Sequence, residues 1–496
     1  MSTQGKTSLG HRAASATVWG GVNMVLGRVV QFATTIIVAR MIAPEHFGAL
    51  AVAVVVQTIA TNMAELGATA SLARGNGDPE RIAPTVFTIA LATSGILTAA
   101  AVFLAPSVAM AFDDPAATPV IQVLSLTILL QGFSAVPSTM VWREFMQRPR
   151  VVVDVCSVVT VLVLVVPMAL DGWGAMALAW SRVGGQLVSL TGYWIITPKR
   201  FRPGFDRSVA AEVLKLGMPL AMANLVVFVT LNVDYLLVGR MLDPTALGLY
   251  LLAFNLAGLP SSVITAVIRA TAVPTFGRLY AEGQLGALVG QIVGGVCYLA
   301  FPISALVVGL ANPLIVSAYG VAWAPAAAAL ATLGVFGAAR ILVELFADIS
   351  VGAGRTTWLF WVQVAWLAVL FPALFFAIGQ WGIAGAGLAH ALVACLVVIP
   401  MYLKILTSVL GIGVLELMRG CIIPFLAATA AGLLAWLVAA GVDSPFGALL
   451  LGGSLGAMVY AGLTFRRGRR LIHTLRSLLR DSSPLLVSEP AKEVTP

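Results

Sequence analysis

The sequence predicts an all-α polytopic membrane protein of about fourteen transmembrane helices, built as two six-helix lobes related by a parallel repeat plus two extra C-terminal helices. Three observations predict it. Of 496 residues, 59% are hydrophobic and only 10% charged, a balance outside the range of soluble globular domains. Apolar runs of the roughly 20 residues that a helix needs to cross a bilayer follow one another from Val18 to Phe465. One stretch also occurs twice: Val38 to Leu50 reads VARMIAPEHFGAL, and Val238 to Tyr250 reads VGRMLDPTALGLY. Valine, arginine, methionine, proline and glycine recur there in register, with Ile42/Leu242 and Phe47/Leu247 as conservative pairs, which marks an internal repeat.

In each copy a hydrophobic helix ends on an arginine, a proline-containing turn follows, and a second hydrophobic helix opens at Phe47 or Leu247. Proline suits the first turn of that helix, where its missing N–H is no loss. The spans read, in order, as 18–41, 47–72, 83–112, 118–142, 151–170, 172–197, 213–242, 246–274, 288–310, 323–349, 357–378, 382–403, 417–440 and 445–465. Met1–Thr17 is polar and leads straight into the first span, so no removed signal peptide is expected. An even number of spans places both termini on one side. Arg74, Arg81, Arg143, Arg148, Arg150, the stretch from Lys199 to Lys215, Arg278, Arg355, Lys404 and Arg419 all fall on that side. The opposite loops offer Asp113, Asp114, Asp171, Asp243 and Asp443, with Arg40 and Arg240 near them. The positive-inside rule then makes both termini cytoplasmic. Arginine outnumbers lysine and alanine and valine abound, which points to a GC-rich bacterial genome.

The connection Pro198–Glu212 carries much of the loop charge and sits where a repeat needs a join. It divides the chain into an N-terminal lobe with that linker (1–212), a C-terminal lobe (213–404), two added spans (405–465) and a tail (466–496). Trp173-Gly174 opens span six and Trp381-Gly382 opens span twelve, followed by Ala177-Leu178-Ala179 and Gly387-Leu388-Ala389. Both copies run in one direction, so the repeat axis is expected along the membrane normal. The added spans hold no ionisable residue between Pro424 and Ala440 or between Pro445 and Phe465, and read as an appendage outside the transport machinery. The RRGRR after Phe465 serves as a positive-inside stop or grips anionic headgroups. From Asp481 the composition reads as disordered.

Several function classes are excluded. The net charge of +8 belongs to cytoplasmic loops, and no soluble domain is present to carry nucleic acid. Cys156, Cys297, Cys395 and Cys421 are scattered singly, neither a disulfide framework nor a zinc site. No two histidines fall at metal-ligand spacing, so no metal is expected. No glycine-rich phosphate loop is present to serve ATP hydrolysis. The outer loops leave little room for the catalytic carboxylates of a membrane polysaccharide polymerase or glycosyltransferase, which stays an alternative, so no enzyme is expected.

ARMIAPEHFGAL, followed by Glu65-Leu66-Gly67 and Leu72-Ala73-Arg74, is similar to the start of bacterial polysaccharide flippases of the Wzx type. These belong to the multidrug/oligosaccharidyl-lipid/polysaccharide exporter superfamily. Asn232-Val233-Asp234 before Gly239-Arg240-Met241-Leu242 fits the same pattern, as do Leu249-Tyr250 and Asn255-Leu256-Ala257-Gly258-Leu259-Pro260. So do Val273-Pro274-Thr275-Phe276-Gly277-Arg278-Leu279 and Gly352-Ala353-Gly354-Arg355. The resemblance covers spans one to twelve. It implies a two-bundle transporter working by alternating access. The implied cargo is an isoprenoid diphosphate-linked oligosaccharide, carried from the cytoplasmic to the outer leaflet for cell-surface polysaccharide such as lipopolysaccharide or exopolysaccharide. Implied partners are that lipid-linked substrate, membrane lipids, a glycan polymerase and glycosyltransferases, around a monomeric transporter. The multidrug branch of the superfamily is the alternative, although a cationic drug wants acidic groups in its cavity.

Ionisable side chains at bilayer depth cost about 2.5–3.5 kcal/mol on insertion scales and usually face a cavity or a partner. Arg28 and Arg182 each lie about ten residues into a span, near the midplane at 1.5 Å rise per residue. With Arg269 and Arg340 they form the candidate diphosphate site, since planar guanidinium groups bind phosphate oxygens bidentately. Arg269 is also close enough to its helix end to snorkel, and Arg340 has Glu344 one turn away as an alternative partner. The acidic set Asp234, Glu65 and Glu344 supplies the candidates for a coupling Na⁺ or H⁺; no other cofactor is expected. Asp234 equally suits an ion pair with Arg240 or with the other lobe. His390, in an apolar helix, reads as a neutral hydrogen-bonded histidine. Arg40 and Arg240 sit at helix C-termini, where cations complement the dipole and steady the outer turn.

Overall fold

The computed structural model describes residues 27, 32–64, 69, 72, 79–144, 146–197, 199–269 and 272–482. These are helical throughout apart from short connections, and no strand occurs among them. Helix is what a bilayer demands, because it satisfies every backbone N–H and C=O inside one segment. The first lobe holds α1 (residues 32–39), α2 (Pro44–Ala64), α3 (Pro79–Ala111), α4 (Ala117–Arg143), α5 (Gln147–Leu170) and α6 (Ala175–Ile196). The second holds α7 (Arg207–Met241), α8 (Pro244–Arg269), α9 (Ala272–Ala281), α10 (Leu285–Gly309), α11 (Ala311–Tyr319) and α12 (Ala326–Gly352). It continues with α13 (Thr356–Val393), a π-helical turn (Ala394–Val398) and α14 (Ile399–Leu410). Two helices follow, α15 (Val414–Ala440) and α16 (Pro445–Ser482).

Among the described residues, 9 helices are long and apolar enough to cross a membrane, which makes this a multi-pass membrane protein. One of the nine, Trp358–Leu410, runs for 53 residues and contains a reversal. Gly382 there adopts φ 55°, ψ −138°, and a Cβ on Gly385 would lie 1.9 Å from the carbonyl oxygen of Ala377. A straight helix would hold those two residues about 12 Å apart. The reversal separates the stretches 357–378 and 382–403. Gly174 opens α6 in nearly the same conformation, φ 52°, ψ −125°. The Trp-Gly pairs at 173–174 and 381–382 therefore place glycine where positive φ is required in both lobes.

The duplicated element sits at the contact between lobes. α2 packs along α8. A Cβ on Gly48 would lie 1.9 Å from the Pro244 carbonyl oxygen, and a Cβ on Gly248 would lie 2.2 Å from that of Pro44. Residue i meets j while j's counterpart meets i's, which is the signature of a two-fold relation. The repeat thus supplies both halves of its own interface. Glycine is required at both positions because backbone meets backbone there.

The added helices attach through small residues. α15 lies along α10, where a Cβ on Gly294 would sit 3.1 Å from the Cα of Gly420 and one on Gly309 only 2.3 Å from the Gly432 carbonyl oxygen. Such close approach lets dispersion and weak polar contacts hold helices together in lipid, where no hydrophobic effect drives them together. α16 packs in turn on α15 and α11.

Two local expectations are corrected. The segment after 310 is not a simple loop, because α11 and a 3-10 turn at Val321–Trp323 fill it and bury Trp323 to 1% exposure. The chain beyond Phe465 is not immediately a polar tail, because α16 continues to Ser482. Leu471, Ile472, Leu475, Leu478 and Leu479 recur at helical spacing there, so the arginines share an amphipathic helix. Residues 483–496, expected to be disordered, lie outside the described residues.

Residues 199–206 are docked onto the first lobe. Gly204 N donates to the Pro84 carbonyl at 3.2 Å, the Thr88 hydroxyl donates to the Gly204 carbonyl at 2.8 Å, and Asp206 N donates to the Thr85 hydroxyl at 3.1 Å. Phe201, Val209, Ala210 and Val213 join Val86, Phe87 and Met140 in one buried cluster. The start of α7 therefore packs with lobe one, and its far end packs with lobe two.

Candidate functional site

A cavity of about 450 Å³ lies between the lobes. Lobe one lines it with Phe32, Leu50, Val54 and Arg182, and lobe two with Asn232, Tyr235, Phe254, Asn255, Tyr319 and Arg340, among others. One end is sealed by the Gly48–Gly248 contact. Around that seal Phe47 meets Trp323 edge-on at 4.9 Å, Phe32 meets Tyr319 at 6.4 Å, and the Trp323 indole N–H donates to the Ala39 carbonyl at 2.7 Å. Outside it the two repeat-related arginines each cross to the opposite lobe. Arg40 donates from Nε to the Ala318 carbonyl at 2.8 Å and also to the Ser317 carbonyl, at the C-terminal end of α11. Arg240 pairs with Asp113 at 3.0 Å, in the α3–α4 connection. The expectation that they steady their own helix ends is corrected: Arg40 reaches carbonyls left at the end of α11, and Arg240 reaches the Asp113 carboxylate.

Arg182 faces the cavity from the first half of α6. It makes no hydrogen bond or ion pair with any described residue, so its guanidinium offers its donors to whatever enters. Arg340 faces the same cavity from α12, and its Nε donates to Glu344 at 2.9 Å. Glu344 is thus a structural partner one turn along the helix rather than a free acidic group. No carboxylate lines the cavity among the described residues, and with Arg340 paired to Glu344 it is Arg182 that leaves the cavity positive. Arg28 and Glu65 lie outside the described residues. The backbone of Arg269 closes α8, and its side chain lies outside the described part. Two of the four candidate arginines are thereby brought to one cavity.

Asp234 does not line the cavity. It is wholly buried in α7, where Oδ2 accepts from the Tyr250 hydroxyl at 2.7 Å and lies 3.3 Å from His390 Nε2. The pairing expected with Arg240 does not form, because Arg240 points outward to Asp113. His390 is also not the satisfied histidine expected: it is 3% exposed, and neither ring nitrogen has a hydrogen-bond partner that meets ordinary geometry. No group of three His, Cys, Asp or Glu suited to a metal ion occurs among the described residues.

The cavity's aromatic and amide lining escaped the sequence reading. Asn232 and Asn255 are quoted above only as parts of a motif, yet both line the cavity. An asparagine inside an apolar helix is the signal that marks them, since lipid would leave its amide unpaired.

The fold recurs in solved transporters. The structure superposes on a lipid II flippase, MurJ, in an inward closed conformation, with a TM-score of 0.71 at 14% identity, covering 92% of this chain and 99% of that one. It superposes on an inward-facing multidrug resistance MATE family transporter of the MOP superfamily with a TM-score of 0.61 at 16% identity, covering 79% and 99%. In sequence, the chain is 24% identical over 477 residues to the succinoglycan biosynthesis transport protein ExoT of Rhizobium meliloti (strain 1021), covering 94% of this chain and 95% of that protein. It is 22% identical over 431 residues to the lipopolysaccharide biosynthesis protein WzxC of Escherichia coli (strain K12), covering 84% and 86%. The family described as "Polysaccharide biosynthesis protein" matches residues 37–328, more than half of the chain, and the protein belongs to that family.

Proposed function

We propose that this protein is a flippase that carries an isoprenoid diphosphate-linked oligosaccharide from the cytoplasmic to the outer leaflet of a bacterial plasma membrane. Both termini face the cytoplasm, and the sealed end bearing Arg40 and Arg240 faces outward. The moving bodies are residues 1–212 and 213–404, with 405–465 carried on the second.

The observation that supports this reading most is Arg182. A guanidinium at mid-helix with no acceptor among the described residues is costly in a bilayer unless water or an anion meets it. A diphosphate supplies paired oxygens in the geometry that guanidinium binds bidentately. The glycan then occupies the solvated space beside Asn232, Asn255, Tyr235 and Tyr319, and the isoprenoid chain stays in lipid. Parting of the outer seal and closure of the inner end would present the headgroup to the opposite leaflet. A cationic drug is disfavoured as cargo, because it would face two arginines and, among the described residues, no lining carboxylate. The curated relatives named for succinoglycan and lipopolysaccharide biosynthesis point the same way.

The test is glycan export in cells whose own flippase is replaced by this protein. Arg182→Ala is expected to lower export about tenfold or more at unchanged membrane level, the scale of one lost charge-assisted contact. Arg182→Lys is expected to recover part, because charge survives without the fork geometry. Normal export by the alanine variant would overturn the diphosphate reading.

A further inference from the structure

The four cysteines lie far apart in the chain, yet the fold brings two of them together. Cys297 on α10 and Cys421 on α15 are both free and buried, and their Sγ atoms stand 2.9 Å apart. A buried cysteine ordinarily serves as a small apolar side chain, and one alone would call for nothing more. Two thiols facing each other across a helix seam are not what packing requires, since alanine fills such positions as well.

The seam explains how they meet. Helices packed through large side chains keep their axes about 8–10 Å apart. Along α10, glycines at 286, 290 and 294 recur one turn apart, and a Cβ on Gly290 would lie 3.0 Å from the Glu416 carbonyl oxygen. A Cβ on Gly294 would lie 3.1 Å from the Cα of Gly420, the neighbour of Cys421. Cα atoms joined by a disulfide stand about 4.4–6.8 Å apart, and a glycine-lined seam brings two helix backbones into that range. The same level of α10 also holds α16. The Tyr298 hydroxyl donates to the Thr464 carbonyl, and the Tyr460 hydroxyl donates to the Tyr298 carbonyl at 2.8 Å. Residues 297 and 298 are therefore a node at which both added helices are tied to the second lobe.

We propose that Cys297 and Cys421 form a peroxide-responsive dithiol, a modification site whose oxidation joins α15 to α10 covalently. In the first step one sulfur attacks an oxygen of hydrogen peroxide, the O–O bond breaks, and the leaving hydroxide takes the thiol proton to become water. The sulfenic acid so formed already stands against the second thiol. An S–S bond forms, the S–O bond breaks, and the hydroxyl leaves as water with the second thiol's hydrogen. Two thiols and one hydrogen peroxide thus give one disulfide and two waters. Hydrogen peroxide fits as the oxidant because it is uncharged and close to water in size, whereas a bulky acceptor would have to part the helices. The first step is slow, since the seam is closed to solvent. The second is fast, since its partner is in place, so the sulfenic acid does not persist to be oxidised further. Without the bond, α15 rests on close contacts that are individually weak. With it, residues 124 apart in sequence are joined, and α15 cannot part from the second lobe.

The test uses the full chain in bacterial membranes, with Cys156→Ala and Cys395→Ala removing the two exposed thiols. A protease site is inserted after Gly411, in the connection ahead of α15, where nothing lies within 4 Å of a Cβ on Gly411 or Gly413. Samples are acid-quenched and alkylated with N-ethylmaleimide. After cleavage, a denaturing gel without reductant separates the α15–α16 fragment from the rest unless a bond joins them. The expected result is two bands from untreated cells, one full-length band after hydrogen peroxide, and two again after dithiothreitol. Cys297→Ala and Cys421→Ala should each leave two bands throughout. The melting temperature of the uncut protein in nanodiscs, without the insertion, should rise by about 5 °C or more on oxidation, and in neither variant. A single band that forms with copper–phenanthroline but not with peroxide would overturn the peroxide response, and two bands under both would overturn the pairing. A single band already present in untreated cells would mean a permanent staple and overturn the response. A dimer-sized band would overturn the pairing within one molecule. Cross-linking with no rise in melting temperature would overturn the tie it places on α15.

Discussion

Arg182 and Arg340 show how partner geometry divides two chemically identical side chains. Both reach one cavity, but Glu344 lies on Arg340's own helix one turn away, whereas no acid lies within a turn of Arg182. Arg340 is therefore held in place and Arg182 is available. At the membrane surface, Asp206 caps α7 by accepting from the Ser208 hydroxyl and from the backbone N–H groups of Ser208 and Val209. Those bonds, led by the Ser208 hydroxyl and assisted by Arg81, hold its carboxyl below the ordinary carboxylate range. A folded-state pKa below the unfolded one means that the cap contributes fully above the unfolded value and is lost as pH falls through the folded one. Asp206→Asn is expected to remove this acid-dependent part. Hydrogen–deuterium exchange of the Ser208 and Val209 amides, followed from neutral to acidic pH, checks it: wild type should lose protection on acidification, and the variant should start lower and change less.

At the scale of helices, the Pro44–Gly48 and Pro244–Gly248 turns act as one interlocking element. Each proline starts its helix and each glycine removes the side chain that would strike the other proline's carbonyl. Gly48→Leu is expected to push α2 off α8 and to favour states in which the outer seal is open. Its Cβ alone would stand 1.9 Å from the Pro244 oxygen, which no rotamer relieves. Labelling of a cysteine placed at the cavity residue Leu50, by a membrane-impermeant thiol reagent added from the sealed side, should rise by about tenfold or more. Gly258→Ala provides the control, since nothing lies within 4 Å of a Cβ there. Equal labelling in Gly48→Leu and Gly258→Ala would mean that the close approach does not hold the seal.

For the whole molecule, the seal has two parts with different chemistry. The inner part is apolar and aromatic, around Phe47, Trp323, Phe32 and Tyr319. The outer part is the exchanged pair of contacts from Arg40 to α11 and from Arg240 to Asp113. The Arg240–Asp113 pair is largely exposed, and such pairs contribute little singly and less in salt. Replacing both arginines by alanine is expected to raise thiol labelling of the cavity on the order of fivefold, less than Gly48→Leu, with high salt narrowing the difference. A larger effect from the arginine pair than from Gly48→Leu would reverse the ranking of packing over charge.

Composition and the order of apolar runs by themselves determined the helical membrane class, because lipid admits no other backbone arrangement for such segments. The duplicated VxRMxxP…G element determined that the chain has two related halves, since its prolines and glycines mark backbone requirements that any side-chain reading can find. The i,i+4 spacing of Arg340 and Glu344 likewise carried its own partner. What the sequence withheld is contact between elements distant along the chain. Asp234 and His390 are separated by most of the second lobe, and only the turn at Gly382 and the packing of α13 on α7 place them 3.3 Å apart. Arg40 and Arg240 carried a local signal, the end of a helix, that agreed with capping their own turns. The tertiary structure decided otherwise, because a two-fold contact brings each arginine within reach of an acceptor on the other lobe, the α11 carbonyls for Arg40 and the Asp113 carboxylate for Arg240, and long side chains bind the acceptor that is presented to them.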